Sequence, residues 1–261
     1  MKIGISSACF YPDVLTEDSI KLMKNIGFDV GEVFLNTYSE YKDDFIEKLK
    51  EEKDKNNFYI NSIHAFSAAF EPNLFDKYKR RQRDMLKIFE MVCKGVKKLD
   101  AKYYNFHGMR LSNLLNLDIK HVIDVYNELC YIASENEMTL LQENVSWCMS
   151  SNTTFLKILK ENCKYPLGYT LDIKQAYKSG GSPLKYIDIM KEDLMNVHIN
   201  DRDEKNICLL PGNGNIKYED IYGKLKDIGY NNVCNIEVYK ENYVDYSELK
   251  KSKDFLANIF I

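Results

Sequence analysis

Short apolar runs and longer amphipathic stretches alternate along the whole chain. The apolar runs cover residues 2–6, 30–35, 59–64, 102–107, 138–143, 167–172, 194–198 and 233–238. They are rich in β-branched and aromatic residues and short enough to read as strands. Each is followed by a stretch of helical spacing, over 17–26, 41–55, 75–99, 118–136, 152–162, 183–190, 218–228 and 246–260. In the third of these, Met85, Ile88, Phe89, Val92 and Val96 form one apolar stripe, the face that docks on a sheet. Gly27 supplies a helix stop after the first. Strand–helix alternation implies a parallel sheet. Eight such units in 261 residues predict a single α/β domain, a closed (β/α)8 barrel, with an open doubly wound sheet as the alternative. No linker, low-complexity tract or charge block interrupts the pattern.

Four successive strands end on chemistry: TLLQE on Glu143, LGYTLD on Asp172, LMNVH on His198 and VCNIE on Glu237. In a parallel barrel the carboxyl ends of the strands converge on one face, where active sites are built. Any one of these residues reads equally as a cap or an ion-pair partner. Together, three carboxylates brought to one buried place repel one another, and a divalent cation relieves that repulsion. The mixed oxygen and nitrogen set suits one Mn, Co, Zn or Mg ion. His64 and His107 end two earlier strands and read as pocket lining, whereas His121 lies early in a helix and reads as surface. Glu32, inside VGEVFL, faces either the pocket or a buried ion pair. Asp201, three residues past His198, either orients a ligand or caps the next loop. Trp147 and Phe66 follow pocket strands and either cover an apolar part of a substrate or pack in loops. The loop LLPGNGN is a turn or a phosphate contact, but Lys217 at the third glycine position rules out a dinucleotide fingerprint.

Composition narrows the partners. Hydrophobic residues make up 45% and charged residues 29%, and the net charge is −3, so no general attraction to nucleic acid or anionic membrane is expected. Seven scattered cysteines without a C-x-x-C pair suit a reducing compartment. The opening residues read as a first strand and not a signal peptide, and no apolar run is long enough for a membrane span, so a cytoplasmic protein is expected.

The order His64, His107, QENV with Glu143, LD-x-x with Asp172, VHIND with His198, PGNG, and IEVY with Glu237 resembles the xylose isomerase-like TIM barrel superfamily. That group includes sugar-phosphate isomerases and epimerases, inosose dehydratases, hydroxypyruvate isomerase-like proteins and abasic-site nucleases of the endonuclease IV type. The resemblance implies one divalent ion held by Glu143, Asp172, His198 and Glu237. It implies Glu143 and Glu237 as the acid and base that move a proton beside a carbonyl through a metal-stabilised enediolate. His64 and His107 would bind substrate oxygens of a small sugar or sugar derivative. Two departures matter. Gln175 stands where the family commonly has His, and Asn206 and Cys208 stand where the nucleases have further ligands. The sequence also lacks the Arg that hexulose epimerases carry just before PG; Arg202 and Lys174 are the cations left to bind an anionic group or to sit in solvent. Alternatives are a dehydratase-like lyase, an abasic-site phosphodiesterase, and a barrel that binds a small molecule without turnover. Homo-oligomers occur among the relatives, though nothing in this sequence marks an interface.

Overall fold

Eight strands pair in chain order, each parallel to the next, and β8 closes on β1. The computed structural model describes residues 1–65 and 70–260, so the expectation placed on Phe66 lies outside the described residues. The strands are β1 (Lys2–Ser6), β2 (Val30–Leu35), β3 (Tyr59–Ala65), β4 (Tyr103–Phe106), β5 (Thr139–Glu143), β6 (Leu167–Asp172), β7 (Leu194–Ile199) and β8 (Val233–Ile236). Around them run α1 (Thr16–Ile26), α2 (Asp43–Lys55), α3 (Lys79–Lys98), α4 (Ile119–Glu135), α5 (Thr153–Asn162), α6 (Ile173–Lys178), α7 (Pro183–Met190), α8 (Tyr218–Asp227) and α9 (Tyr246–Phe260). This is the (β/α)8 TIM barrel that the alternation predicts.

The helices form where apolar side chains recur on one face. Leu86, Phe89, Val92 and Val96 of α3 are buried, as are Ile20, Met23 and Ile26 of α1. Gly27, at φ 108°, ends α1 by sending its N–H back to Met23 and Lys24. Two expected helices start later than their apolar pattern suggests. Residues Tyr38–Tyr41 and Glu71–Phe75 form short 3-10 turns instead, and Asp76 accepts the Tyr78 N–H to begin α3 at Lys79. The sequence pattern also misses α6, which consists of only six residues and is capped by the Asp172 side chain. No helix among the described residues is long and apolar enough to cross a membrane. All seven cysteines are free thiols, six of them buried.

The apolar character of the strands belongs to their outer faces. Ile5, Val33, Leu35, Ile63, Leu140, Leu171 and Val197 are buried beneath the helices. The barrel interior is polar: Glu32, Ser62, Asn105, Thr170, Asn196 and Asn235 are all fully buried. Buried polar groups are tolerated when they are hydrogen-bonded. Here Ser62 Oγ donates to Glu32 Oε2 at 2.7 Å, Asn196 Nδ2 donates to the same oxygen at 3.3 Å, and Asn235 Nδ2 donates to Asn196 Oδ1 at 3.0 Å. The Asn105 amide also donates to Glu32, and its carbonyl accepts from Thr170. These bonds join β2 to β3, β4 and β7 across the interior, so the barrel is tied through its centre as well as around its wall.

β1 and β2 approach so closely at Gly31 that a Cβ there would lie 2.3 Å from the Ile5 carbonyl oxygen and 3.0 Å from the Phe58 ring. Because that carbonyl belongs to the strand pairing of β1, it has little freedom to retreat. Gly31→Ala is therefore expected to destabilise the fold by about 1–3 kcal/mol, the usual range for overpacking. A drop in the denaturation midpoint would register this, and an unchanged midpoint would mean that the β1–β2 contact yields.

Candidate metal centre and substrate pocket

Strand ends bring the four chemical residues together. Glu143 ends β5, Asp172 ends β6, His198 is the next-to-last residue of β7, and Glu237 directly follows β8. Asp172 and His198 are paired in register. The Glu237 N–H donates to the Ile199 carbonyl at 2.9 Å, which holds the residue beside β7 although the strand has ended. His198 Nδ1 lies 3.1 Å from Glu237 Oε2, 3.8 Å from Glu143 Oε1 and 4.0 Å from Asp172 Oδ2. One potential ligand atom from each of the four lies within 4.8 Å of the others.

The donor atoms fit a divalent ion. Asp172 Oδ2 and His198 Nδ1 are buried and have no hydrogen-bond partner; Glu143 Oε2 has none either, though it faces His64 and His107 at 3.3 and 3.4 Å. His198 Nδ1 meets Glu237 Oε2 as an ion-pair contact at 3.1 Å. Orphaned buried acceptors are costly unless something polar or charged meets them. The other atoms of Asp172 and His198 are already engaged. Asp172 Oδ1 accepts the Gln175 N–H at 2.9 Å, capping α6, and the Asn200 amide at 3.3 Å. His198 Nε2 lies 3.2 Å from Glu32 Oε2. A histidine that donates its second N–H to a carboxylate is the usual support of a metal ligand. Glu32 thus settles the alternative left open by its sequence position: it sits beneath the cluster in a buried ion pair and holds His198 with Nδ1 toward the strand-end carboxylates.

His64 and His107 extend the cluster. Their Nε2 atoms are 2.8 Å apart and lie 3.3 and 3.4 Å from Glu143 Oε2. With Glu143 they form a second group able to hold a metal ion, and Glu143 turns one oxygen to each group. His107 is fixed through its backbone. Glu71 Oε2 accepts the N–H groups of His107 and Gly108 at 2.8 and 3.0 Å, and Gln142 Nε2 donates to the carbonyls of Phe106 and His107 at 3.1 and 3.0 Å. Glu71 does not stand out in the sequence, and Gln142 appears only as part of QENV, because both act on backbone groups.

The charges are strongly coupled. Burial disfavours ionised Glu143, but His107, His198 and His64 outweigh it and hold the carboxyl well below the usual range. Burial likewise opposes ionised Glu237, yet His198 and Lys174 bring its pKa down to about 2. Asp172 goes the other way, to about 6, through burial and the carboxylates of Glu143 and Glu237, against the pull of Lys174 and His198. Burial works against the His64 imidazolium, but its contact with Glu143 and the nearby Glu32 and Glu237 raise it to about 9.

A cavity of 380 Å³ opens onto this cluster. His64, His107, Glu143, Asp172 and Glu237 line its floor, with Tyr11, Phe34, Asn36, Lys174, Gln175 and Tyr239 around them. Gln175 accepts from the Ser146 N–H and hydroxyl at 3.1 and 2.7 Å, so it ties α6 to the loop after β5 at the rim. Lys174 is buried here rather than solvated. Other expected residues go elsewhere. Arg202 lines a separate 430 Å³ cavity with Tyr177, over whose ring its guanidinium carbon lies at 4.7 Å; it does not line the pocket of Glu143, Asp172 and Glu237. Asp201 caps its own loop, accepting the N–H groups of Gly212, Gly214 and Ile216. Trp147 packs edge-on against His107 at 5.4 Å, behind the pocket wall. His121 is half-buried, its Nε2 3.1 Å from the Phe75 carbonyl.

A parallel barrel with a carboxylate–imidazole centre at its carboxyl mouth is a recurrent class of protein. This chain belongs to the xylose isomerase-like TIM barrel family, whose model matches residues 20–259. An uncharacterised protein of Methanocaldococcus jannaschii is 24% identical over 251 residues, covering 91% of this chain and 83% of the relative. Among solved structures, a D-tagatose 3-epimerase-like protein superposes with a TM-score of 0.82 at 22% identity, covering 99% of this chain and 97% of the other. D-psicose 3-epimerase from Clostridium cellulolyticum H10, solved with D-tagatose, gives 0.81 at 18% identity, covering 100% and 99%. The IOLI protein, solved with a zinc atom, gives 0.79 at 18% identity, covering 100% and 98%.

The His64 shift has a consequence for the metal-free protein. Its folded value lies above the ordinary 6.5, so the stability it contributes is fully present below pH 6.5 and is lost as the pH rises through about 9. Urea denaturation across that window is expected to show stability falling, with a shallower fall in His64→Gln. An identical slope in the variant would remove His64 as a source of the pH dependence.

Proposed function

We propose that this protein is a divalent-metal-dependent isomerase or epimerase of a small sugar or sugar derivative, moving a proton at a carbon beside a carbonyl. The observation that carries this reading is the convergence of Glu143, Asp172, His198 and Glu237, with Asp172 Oδ2 and His198 Nδ1 left without hydrogen bonds, at a 380 Å³ cavity whose floor Glu143, Asp172 and Glu237 line. Membership of the family and the sugar epimerases among the solved structures of the same fold support it. The four residues would hold one Mn, Co, Zn or Mg ion, which when bound would polarise the substrate carbonyl.

The protein's own groups would do the rest. Glu143 comes from β5 and Glu237 from the end of β8, so they approach the centre from different arcs of the barrel. Held ionised by their neighbours, one can take a proton from one face of a carbon while the other, once protonated, returns one to the opposite face. His64 and His107, on the Glu143 side, offer ring N–H groups to substrate oxygens. Phe34, Tyr11 and Tyr239 supply the apolar wall that a sugar's C–H faces would meet. Arg202 has no part in this arrangement, and Asn206 is exposed and bonded to Asp203, which weighs against a third metal site of the nuclease kind.

Two outcomes test the proposal. In D2O with Mn, candidate ketoses should incorporate deuterium beside the carbonyl, and Glu237→Gln should slow this by roughly 10²–10⁴-fold, the usual contribution of a general acid or base. NMR of the recovered sugar decides it: full exchange in the variant would refute the proton-transfer role, and exchange with loss of water would favour the lyase. Glu32→Gln, measured by calorimetric Mn titration, should weaken metal binding by roughly 10–100-fold, as loss of a carboxylate behind a histidine ligand generally does. Unchanged affinity would mean that Glu32 only fills the barrel.

A further inference from the structure

Lys174 is the one lysine or arginine lining the cavity among the described residues, and it sits against the metal-binding carboxylates. Its side chain is only 4% exposed, and its Nζ lies 3.6 Å from Asp172 Oδ2 and 4.0 Å from Glu237 Oε2. The Tyr239 ring lies beneath the ammonium at 4.5 Å. Lys174 is the second residue of α6, the helix that Asp172 itself caps, and Ile173 and Ala176 on either side are buried in the fold. The ammonium is therefore tethered to the same short segment that carries a ligand, and it cannot withdraw far into solvent.

We propose that Lys174 is a built-in cation that competes with the divalent ion for Asp172 and Glu237, keeping metal affinity modest and the ion exchangeable. The inference rests on the metal-dependent reading above. Any ion shared by Asp172 and Glu237 must lie close to an ammonium that is already near the same two oxygens. Like charges repel strongly in a buried, weakly screened place. Charge counting supplies the reason for the arrangement. Counting the three carboxylates alone, a divalent ion would leave one negative charge, which Lys174 would meet at Asp172 and Glu237 while His64 faces Glu143. In the metal-free site the same ammonium partly stands in for the ion. Its cation–π seat on Tyr239 gives it a place to hold when the carboxylates turn to the metal.

The test compares metal binding by the full chain as wild type, Lys174→Met and Lys174→Arg, using MnCl2 and CoCl2 in calorimetric titrations at pH 8, with thermal melts to establish folding. Lys174→Met is expected to bind about tenfold more tightly or better, as removal of a nearby buried charge requires, and to release its ion more slowly to a chelator. Lys174→Arg, which keeps the charge, should stay within about threefold of wild type. Should Lys174→Met fail to fold, Lys174→Gln serves in its place with the same expectation. Equal or weaker binding by the neutral variants, with wild type binding normally, overturns the role of Lys174 and leaves the metal centre standing. Absence of binding by every form overturns the metal centre and this inference together.

Discussion

A carboxylate buried at the centre of the barrel organises the rest of the site. Glu32 is fully buried, so it needs partners to offset the loss of water. Its Oε2 finds them on three other strands, in Ser62, Asn105 and Asn196 and in His198 at 3.2 Å, while Oε1 has no hydrogen-bond partner. That last contact orients the imidazole. With Nε2 turned inward to Glu32, Nδ1 faces the strand-end carboxylates. The polar interior is thus a foundation for the mouth of the barrel, and the apolar packing that stabilises the fold lies outside the strand ring.

Much of this is legible in the sequence, for a definite reason. A charged residue that interrupts an apolar strand at its carboxyl end is conspicuous, and Glu143, Asp172, His198 and Glu237 each do so. The barrel is legible because eight strand–helix units leave few other closures. The interior is less so. Asn105, Thr170 and Asn196 alternate with apolar neighbours, and each strand as a whole still reads as apolar. The shortest α-helix, α6, escapes notice because six residues carry no helical stripe; its start depends on a side-chain cap. Lys174 is hidden for the same cause, since its burial follows from α6 and not from its own surroundings in the chain.

Arg202 illustrates the opposite case. It follows His198 closely and carries the charge expected of a substrate clamp. Yet the chain turns at Asp201, which pairs with Leu209 in an antiparallel bridge, and the Arg202 carbonyl accepts the Asn215 N–H at 2.8 Å. With its backbone so held, the side chain lies over Tyr177 in the neighbouring cavity. Sequence distance from a ligand is a poor guide wherever a hairpin intervenes.

The same hairpin has a bearing on how this barrel can vary. Asp201 gathers the N–H groups of Gly212, Gly214 and Ile216, and Gly214 has no room for a Cβ, which would lie 2.3 Å from both the Arg202 carbonyl and Asp201 Oδ1. The loop is closed at its base by one carboxylate, independently of its tip. Residues 203–207 are mostly exposed and bond chiefly to one another around Asp203. Such a segment is a cassette: its tip can lengthen, shorten or be exchanged over evolution or by grafting, while the clasp keeps β7 and its histidine undisturbed.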